Sequence, residues 1–187
     1  MLDARLIEPE KTRGLLRSEY DRLVALGLLE DERVELLHGT LVEMSPNDPP
    51  HSSPIQALNE ILMPALVGRA TVRVQLPLYA ANESEPEPDV AIVPLGEYRS
   101  AHPAHAHLVI EVAVSSINKD RKVKAPLYAA SGFTEYWLVN VPDRVVEVYR
   151  SPDSGTYRAV SRHGPSEVLS PEAFPDVHVA LGDVFGA

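Results

Sequence analysis

A charged residue inside an apolar strand needs a chemical reason, and this chain has one. Leu108-Val109-Ile110-Glu111-Val112-Ala113-Val114 is nearly all apolar, as expected of a central strand buried on both faces. An ionised carboxylate there costs several kcal/mol unless it is paired, protonated or bound to a cation. A second carboxylate, Asp89, opens the short apolar run Val90-Ala91-Ile92-Val93 directly after Pro88. Alone, Asp89 reads equally well as a loop cap. Together, two carboxylates on adjacent strands can converge on one hard divalent cation, which holds a water near a scissile phosphate and neutralises developing charge. The chain has no cysteine, so thiolate zinc sites, disulfides and a cysteine nucleophile are excluded, and oxygen ligands favour Mg2+ or Mn2+.

Phosphodiester hydrolysis also benefits from a cation that orients the nucleophile or stabilises the pentavalent oxygens. Three of the four lysines, Lys119, Lys122 and Lys124, fall within six residues that also hold Arg121; the fourth is Lys11. Asp120, Lys124 and Tyr128 recur at intervals of four and share a helix face, provided Pro126 does not rotate it, whereas Lys122 points the other way. Lys124 is therefore the candidate catalytic cation. As a cleft lysine it should add little to the core, so Lys124→Met is expected to leave folding intact. Lys119, Arg121 and Lys122 form a local basic patch that can face phosphate; the bland reading is a solvated helix face. His51, Gln75 and Tyr128 are further candidates for binding water or substrate, though a helix-start histidine and a core-facing tyrosine are more often structural. His102, His105 and His107 are expected to be exposed loop residues, and Glu83, Glu85 and Glu87 a solvated loop.

The elements that must position these groups follow from pattern. Ser18 reads as the cap of a helix running through Leu23, Val24 and Leu29, loosened by Gly27 and expected to cover one side of the core. Residues 33–37 and 40–44 around His38-Gly39 read as a hairpin, with Glu35 mid-strand. Pro46 to Pro50 should break structure before a helix that His51 opens, carrying Ile55, Leu58, Ile61 and Leu62 until Pro64 disturbs it. The alternation of Val72, Val74, Leu76 and Leu78 predicts one half-buried strand over 71–79, with Gln75 on its polar face. Residues 118–131 predict a helix that Pro126 kinks and Gly132 stops. Strands are expected at 135–139 and 145–149, with edge strands near 157–160 and 177–179.

At 187 residues and 44% hydrophobic content, one domain spanning 1–187 with one sizeable core is expected. No apolar run approaches the roughly 20 residues of a membrane span, and the N-terminus, with Asp3, Arg5, Glu8 and Glu10, has no signal-peptide core, so a cytoplasmic location with no membrane partner is expected. The net charge of −10 argues against a general nucleic-acid coat. Any nucleic-acid contact should be weak, local and salt-dependent, and a homodimer would add a second basic patch.

The run Arg33-Val-Glu-Leu-Leu-His-Gly-Thr-Leu-Val-Glu-Met-Ser-Pro46 with His51 after it, then Pro88-Asp89-Val90, Glu111-Val112 and Asp120-Arg-Lys-Val-Lys-Ala-Pro-Leu-Tyr128 through Gly132 to Glu135-Tyr136-Trp137, resembles the Uma-type restriction endonucleases over nearly the whole chain. That family is assigned to the PD-(D/E)XK nuclease superfamily. The resemblance implies an α/β fold, a restriction-endonuclease-like mixed central sheet flanked by helices, with the N-terminal helix and β-hairpin added. It further implies Mg2+-dependent phosphodiester cleavage; as the nucleic-acid partner, DNA is expected in preference to RNA. Its acidic metal ligands fall on Asp89 and Glu111, and Glu35 matches an additional catalytic carboxylate before the core. The departure is Ala113, which stands where the superfamily's Glu-x-Lys lysine would be; the resemblance implies that Lys124 reaches that point from the helix. The rival readings are a degenerate binding or regulatory module retaining the fold, and an oligomerising scaffold that packs through Tyr136-Trp137.

Overall fold

The computed structural model describes residues 13–44 and 48–186. Lys11, the acidic N-terminal residues and Pro46 lie outside the described residues. The chain divides into two compact units, one of residues 1–44 with 81–85 and one of residues 45–80 with 86–187.

The first unit holds the helix α1 (Arg17–Ala25) and the hairpin of β1 (Val34–Leu37) and β2 (Thr40–Glu43). His38 and Gly39, at φ 48° and 75°, supply the two left-handed positions that a two-residue turn of matching twist requires. The helix is capped at Leu16 rather than Ser18: Glu19, three residues on, accepts the Leu16 N–H at 2.9 Å and is held there by Arg13. None of its residues is buried, so α1 does not cover a core as expected; Val24, Leu26 and Leu28 are exposed. The acidic loop is solvated only in part: Glu83 is exposed as expected, whereas Glu87 is half-buried and Glu85 buried. Glu85 is only 5% exposed, its N–H donates to the Leu36 carbonyl at 2.8 Å, and its carboxylate lies 3.6 Å from Arg17.

The second unit is a six-stranded mixed sheet in chain order: β3 (Thr71–Val74), β4 (Val90–Val93), β5 (Leu108–Ala113), β6 (Glu135–Asn140), β7 (Val145–Asp153) and β8 (Thr156–His163). Only β5 and β6 run parallel, and the crossover between them carries α3 (Ile117–Lys119), a π-helical segment (Asp120–Lys124) and α4 (Ala125–Ala130). The helix α2 (Pro49–Ala65) begins earlier than expected because Asp48 accepts the His51 N–H and prolines are tolerated in a first turn. The expected strand over 71–79 stops at Val74, where Gln75 turns to φ 49°.

Period-two alternation divides the sheet's side chains between two cores. Val90, Ile92, Ile110, Val112, Trp137, Val139, Val146 and Val148 pack with Ile55, Leu58 and Leu62 of α2. The short strands β9 (Val168–Leu169) and β10 (Val179–Ala180) and the turn α5 (Leu181–Val184) complete that layer. Ala91, Val93, Val109, Ala113, Tyr136 and Leu138 face the other way, onto Ala125, Tyr128 and Ala129 of α4. Tyr136 and Trp137 have no exposed surface, so the aromatic strand is core and offers no face for subunit packing. No described helix is long and apolar enough to cross a membrane.

Candidate active site

The sheet register sets the site. β3 pairs with β4 through Val74 and Val90, and β4 with β5 through Val90 and Ile110, so one step further Gln75, Asp89 and Glu111 stand in a row across three strands. The Gln75 N–H continues the ladder to the Asp89 carbonyl at 3.1 Å. The paired register of β4 and β5 ends there, and the Asp89 side chain extends it: its Oδ2 accepts the Val112 N–H at 2.8 Å. This bond fixes one carboxylate oxygen of Asp89 against the strand that carries Glu111. The same Oδ2 lies 3.3 Å from Nε2 of His51, in the first turn of α2. Asp89 raises the His51 pKa above its usual value by accepting from its ring, against the lowering effect of burial. The other ring nitrogen, Nδ1, is buried without a hydrogen-bond partner.

Glu111, 4% exposed, faces the same core as Val109 and Ala113 of its strand, where the crossover helix reaches it. Lys124 Nζ donates to its Oε1 at 2.8 Å and the Tyr128 hydroxyl donates to the same oxygen at 2.5 Å. Asp120, Lys124 and Tyr128 are all buried and Lys122 is exposed, so the four-residue spacing keeps one face despite Pro126. The proline does leave a mark. It has no N–H to return to the preceding turn, and the helix widens just before it, with the Ala125 N–H reaching five residues back to Asp120. Burial raises the Asp120 pKa, with the Asp89 charge adding to it, while Lys124 and the Ser116 hydroxyl, 2.5 Å from its Oδ2, act in the opposite sense.

The expectation that Lys124→Met leaves folding intact is corrected here. Lys124 is 3% exposed, and removing its ammonium would leave a buried carboxylate without its cation. The basic cluster is also divided. Arg121 forms a two-pronged pair with Glu147 of β7, its Nε 2.9 Å from Oε2, and Lys119 is half-buried, which leaves Lys122 as the exposed cation of the segment. Glu35 lies in the first unit, 1% exposed on β1 and opposite Val42. Of the loop histidines only His105 is exposed; His102 sits 3.5 Å from Arg73 and His107 packs edge-on to Phe174.

Sequence reading missed Glu147 and Glu135, although the signal was the one that marked Glu111: a carboxylate in an apolar strand. Glu147 holds Arg121, and Glu135 accepts from the Trp137 indole, Arg150 and the Glu172 N–H.

Among the described residues no three histidines, aspartates or glutamates cluster as a closed metal cage. The donor set nevertheless suits Mg2+, which is commonly held by one or two carboxylates together with waters and substrate phosphate. Asp89 Oδ1 has no hydrogen-bond partner among the described residues, and Glu111 follows on the neighbouring strand.

No curated protein matches the chain. A solved structure described as a putative nuclease belonging to DUF820, from Anabaena variabilis, superposes with a TM-score of 0.61 at 16% identity, covering 82% of this chain and 89% of that one, which shows a shared fold. The family model described as Uma2, putative restriction endonuclease, matches residues 17–182, and the chain belongs to that family.

Proposed function

We propose that the chain is a Mg2+-dependent endonuclease that hydrolyses nucleic-acid phosphodiester bonds, DNA in preference to RNA, in the cytoplasm. What supports this reading is that Asp89 and Glu111 stand at one level on neighbouring strands, with Lys124 and Tyr128 both on Glu111. Asp89 and Glu111 would hold Mg2+ (or Mn2+), which when bound supplies an activated water and charge neutralisation at the phosphate. Val112 and His51 orient Asp89 by taking one of its oxygens. Lys124 and Tyr128 fix Glu111, and the Lys124 ammonium supplies the positive charge that the superfamily's strand lysine would bring to Ala113. Gln75, Lys122, Lys119 and Arg121 are assigned to substrate, and Glu35 remains the additional carboxylate implied by the family.

The test is Mg2+-dependent cleavage of end-labelled single- and double-stranded DNA and RNA. Wild type should cut at least one of them and stop in EDTA, and Asp89→Ala should reduce cutting by two to three orders of magnitude, as loss of a main charge-stabilising group does. A second reading, a non-catalytic binding module, is favoured by Ala113 and by the internal pairing of Lys124 and Arg121, which leaves little cation for phosphate. That reading predicts no cleavage of any of the four substrates.

A further inference from the structure

Beside the carboxylates lies a groove that the hydrolytic chemistry does not use. It has a volume of about 290 Å3 and is lined by Ser52, Ile55, Gln56 and Asn59 of α2 and by Val74 and Gln75 at the end of β3. This is close to the lower end of the roughly 300–1,000 Å3 of small-ligand sites. Its lining residues adjoin the site: Ser52 follows His51 in the chain, and the Gln75 N–H donates to the Asp89 carbonyl. Ile55 and Val74 make its apolar surfaces, and its polar lining consists of two primary amides beyond Ser52 and Asn59, all four uncharged. Asn59 Oδ1 is buried with no hydrogen-bond partner. Asn59 is itself one of the lining residues, so a change at this side chain alters the groove.

We propose that this groove takes one unpaired nucleobase of the substrate strand, next to the scissile phosphate. The proposal rests on the nuclease reading above. A base is flat and apolar on its faces, polar and neutral at its edge, and so matches apolar walls with amide rims. A phosphate does not, because none of the six lining residues is a cation to neutralise it. A base inside a duplex cannot enter such a groove without leaving its stack. The substrate class that follows is a single strand or a locally opened duplex.

The test is binding of a fluorescein-labelled single-stranded oligonucleotide in EDTA, which needs no turnover, with one base at a time replaced by an abasic site. In wild type, one position should weaken binding about tenfold when its base is removed. In Asn59→Leu, which keeps the size of the side chain and removes its buried polar end, the same position should matter less than twofold. The melting temperature of Asn59→Leu should be equal to wild type or higher, so a folding failure would be recognised. A milder change, Asn59→Ser, should give an intermediate response. Binding that is indifferent to every abasic position, or equally sensitive in wild type and Asn59→Leu, overturns the groove and leaves the nuclease reading standing. Failure of wild type to bind any oligonucleotide in EDTA also overturns the groove, whereas the nuclease reading stands or falls on the cleavage assay.

Discussion

At the scale of single residues, the decisive pair is Glu111 with Lys124, 2.8 Å apart and both nearly without exposed surface. Breaking a buried pair by removing one partner costs about 3–5 kcal/mol, because the other charge stays behind. Lys124→Met should fall near the lower end, about 3 kcal/mol, since Tyr128 still donates to the carboxylate. Adding Glu111→Gln should recover most of the loss. Urea unfolding of the two single variants and the double variant measures the coupling, and additive losses would mean that the pair does not form in solution. Glu85 gives a pH signature. Burial, reinforced by Asp21, pushes its pKa from 4.5 up to about 7, with Arg17 opposing. The folded state therefore holds a proton that the unfolded chain releases from about pH 4.5, so stability should fall as pH rises from about 4.5 to 7, by up to about 3 kcal/mol. Glu85→Gln should flatten that decline; an unchanged slope would assign it to another group. Sequence pattern marked Glu111 because an apolar strand makes a carboxylate conspicuous. It could not mark Glu85, whose neighbours Glu83 and Glu87 and flanking prolines look like any solvated loop, and whose burial comes from a bridge to Leu36 far away in the chain.

At the scale of elements, the crossover helix places the cation, and two features hold it. The π-helical turn before Pro126 keeps Asp120, Lys124 and Tyr128 on the inner face, and Arg121 ties that turn to Glu147 of β7. Glu147 is buried while about a third of the Arg121 side chain meets solvent, so screening should hold the cost of Arg121→Ala to about 1–2 kcal/mol. Arg121 lowers the Glu147 pKa against burial, so this contribution is present above the unfolded carboxylate range and lost as pH falls through the folded value. Thermal melts of wild type and Arg121→Ala should therefore converge in acid; a constant gap would contradict the pairing. The strands were legible wherever alternation or a continuous apolar run was long, as at β5 to β7, and so was the hairpin at His38-Gly39. Element ends were not. A capping glutamate moved the start of α1, Asp48 began α2 at a proline, and the left-handed Gln75 cut β3 short although the alternation ran on to Leu78.

For the whole molecule, the acidic charge and the single exposed lysine of the crossover set what binding can look like. Oligonucleotide affinity should drop steeply between 50 and 200 mM salt and fall further in Lys122→Ala, measured by fluorescence anisotropy; salt-insensitive binding would mean that phosphate is not the contact. Mg2+ or Mn2+ should raise the melting temperature of wild type by mass action, and Asp89→Ala should abolish the rise. The most direct measurement is anomalous diffraction from a crystal soaked in Mn2+. The metal should appear between the carboxylates of Asp89 and Glu111, and be missing from an Asp89→Ala crystal. Manganese bound elsewhere while these two carboxylates stay engaged only with His51, Val112, Lys124 and Tyr128 would contradict the assignment of this site.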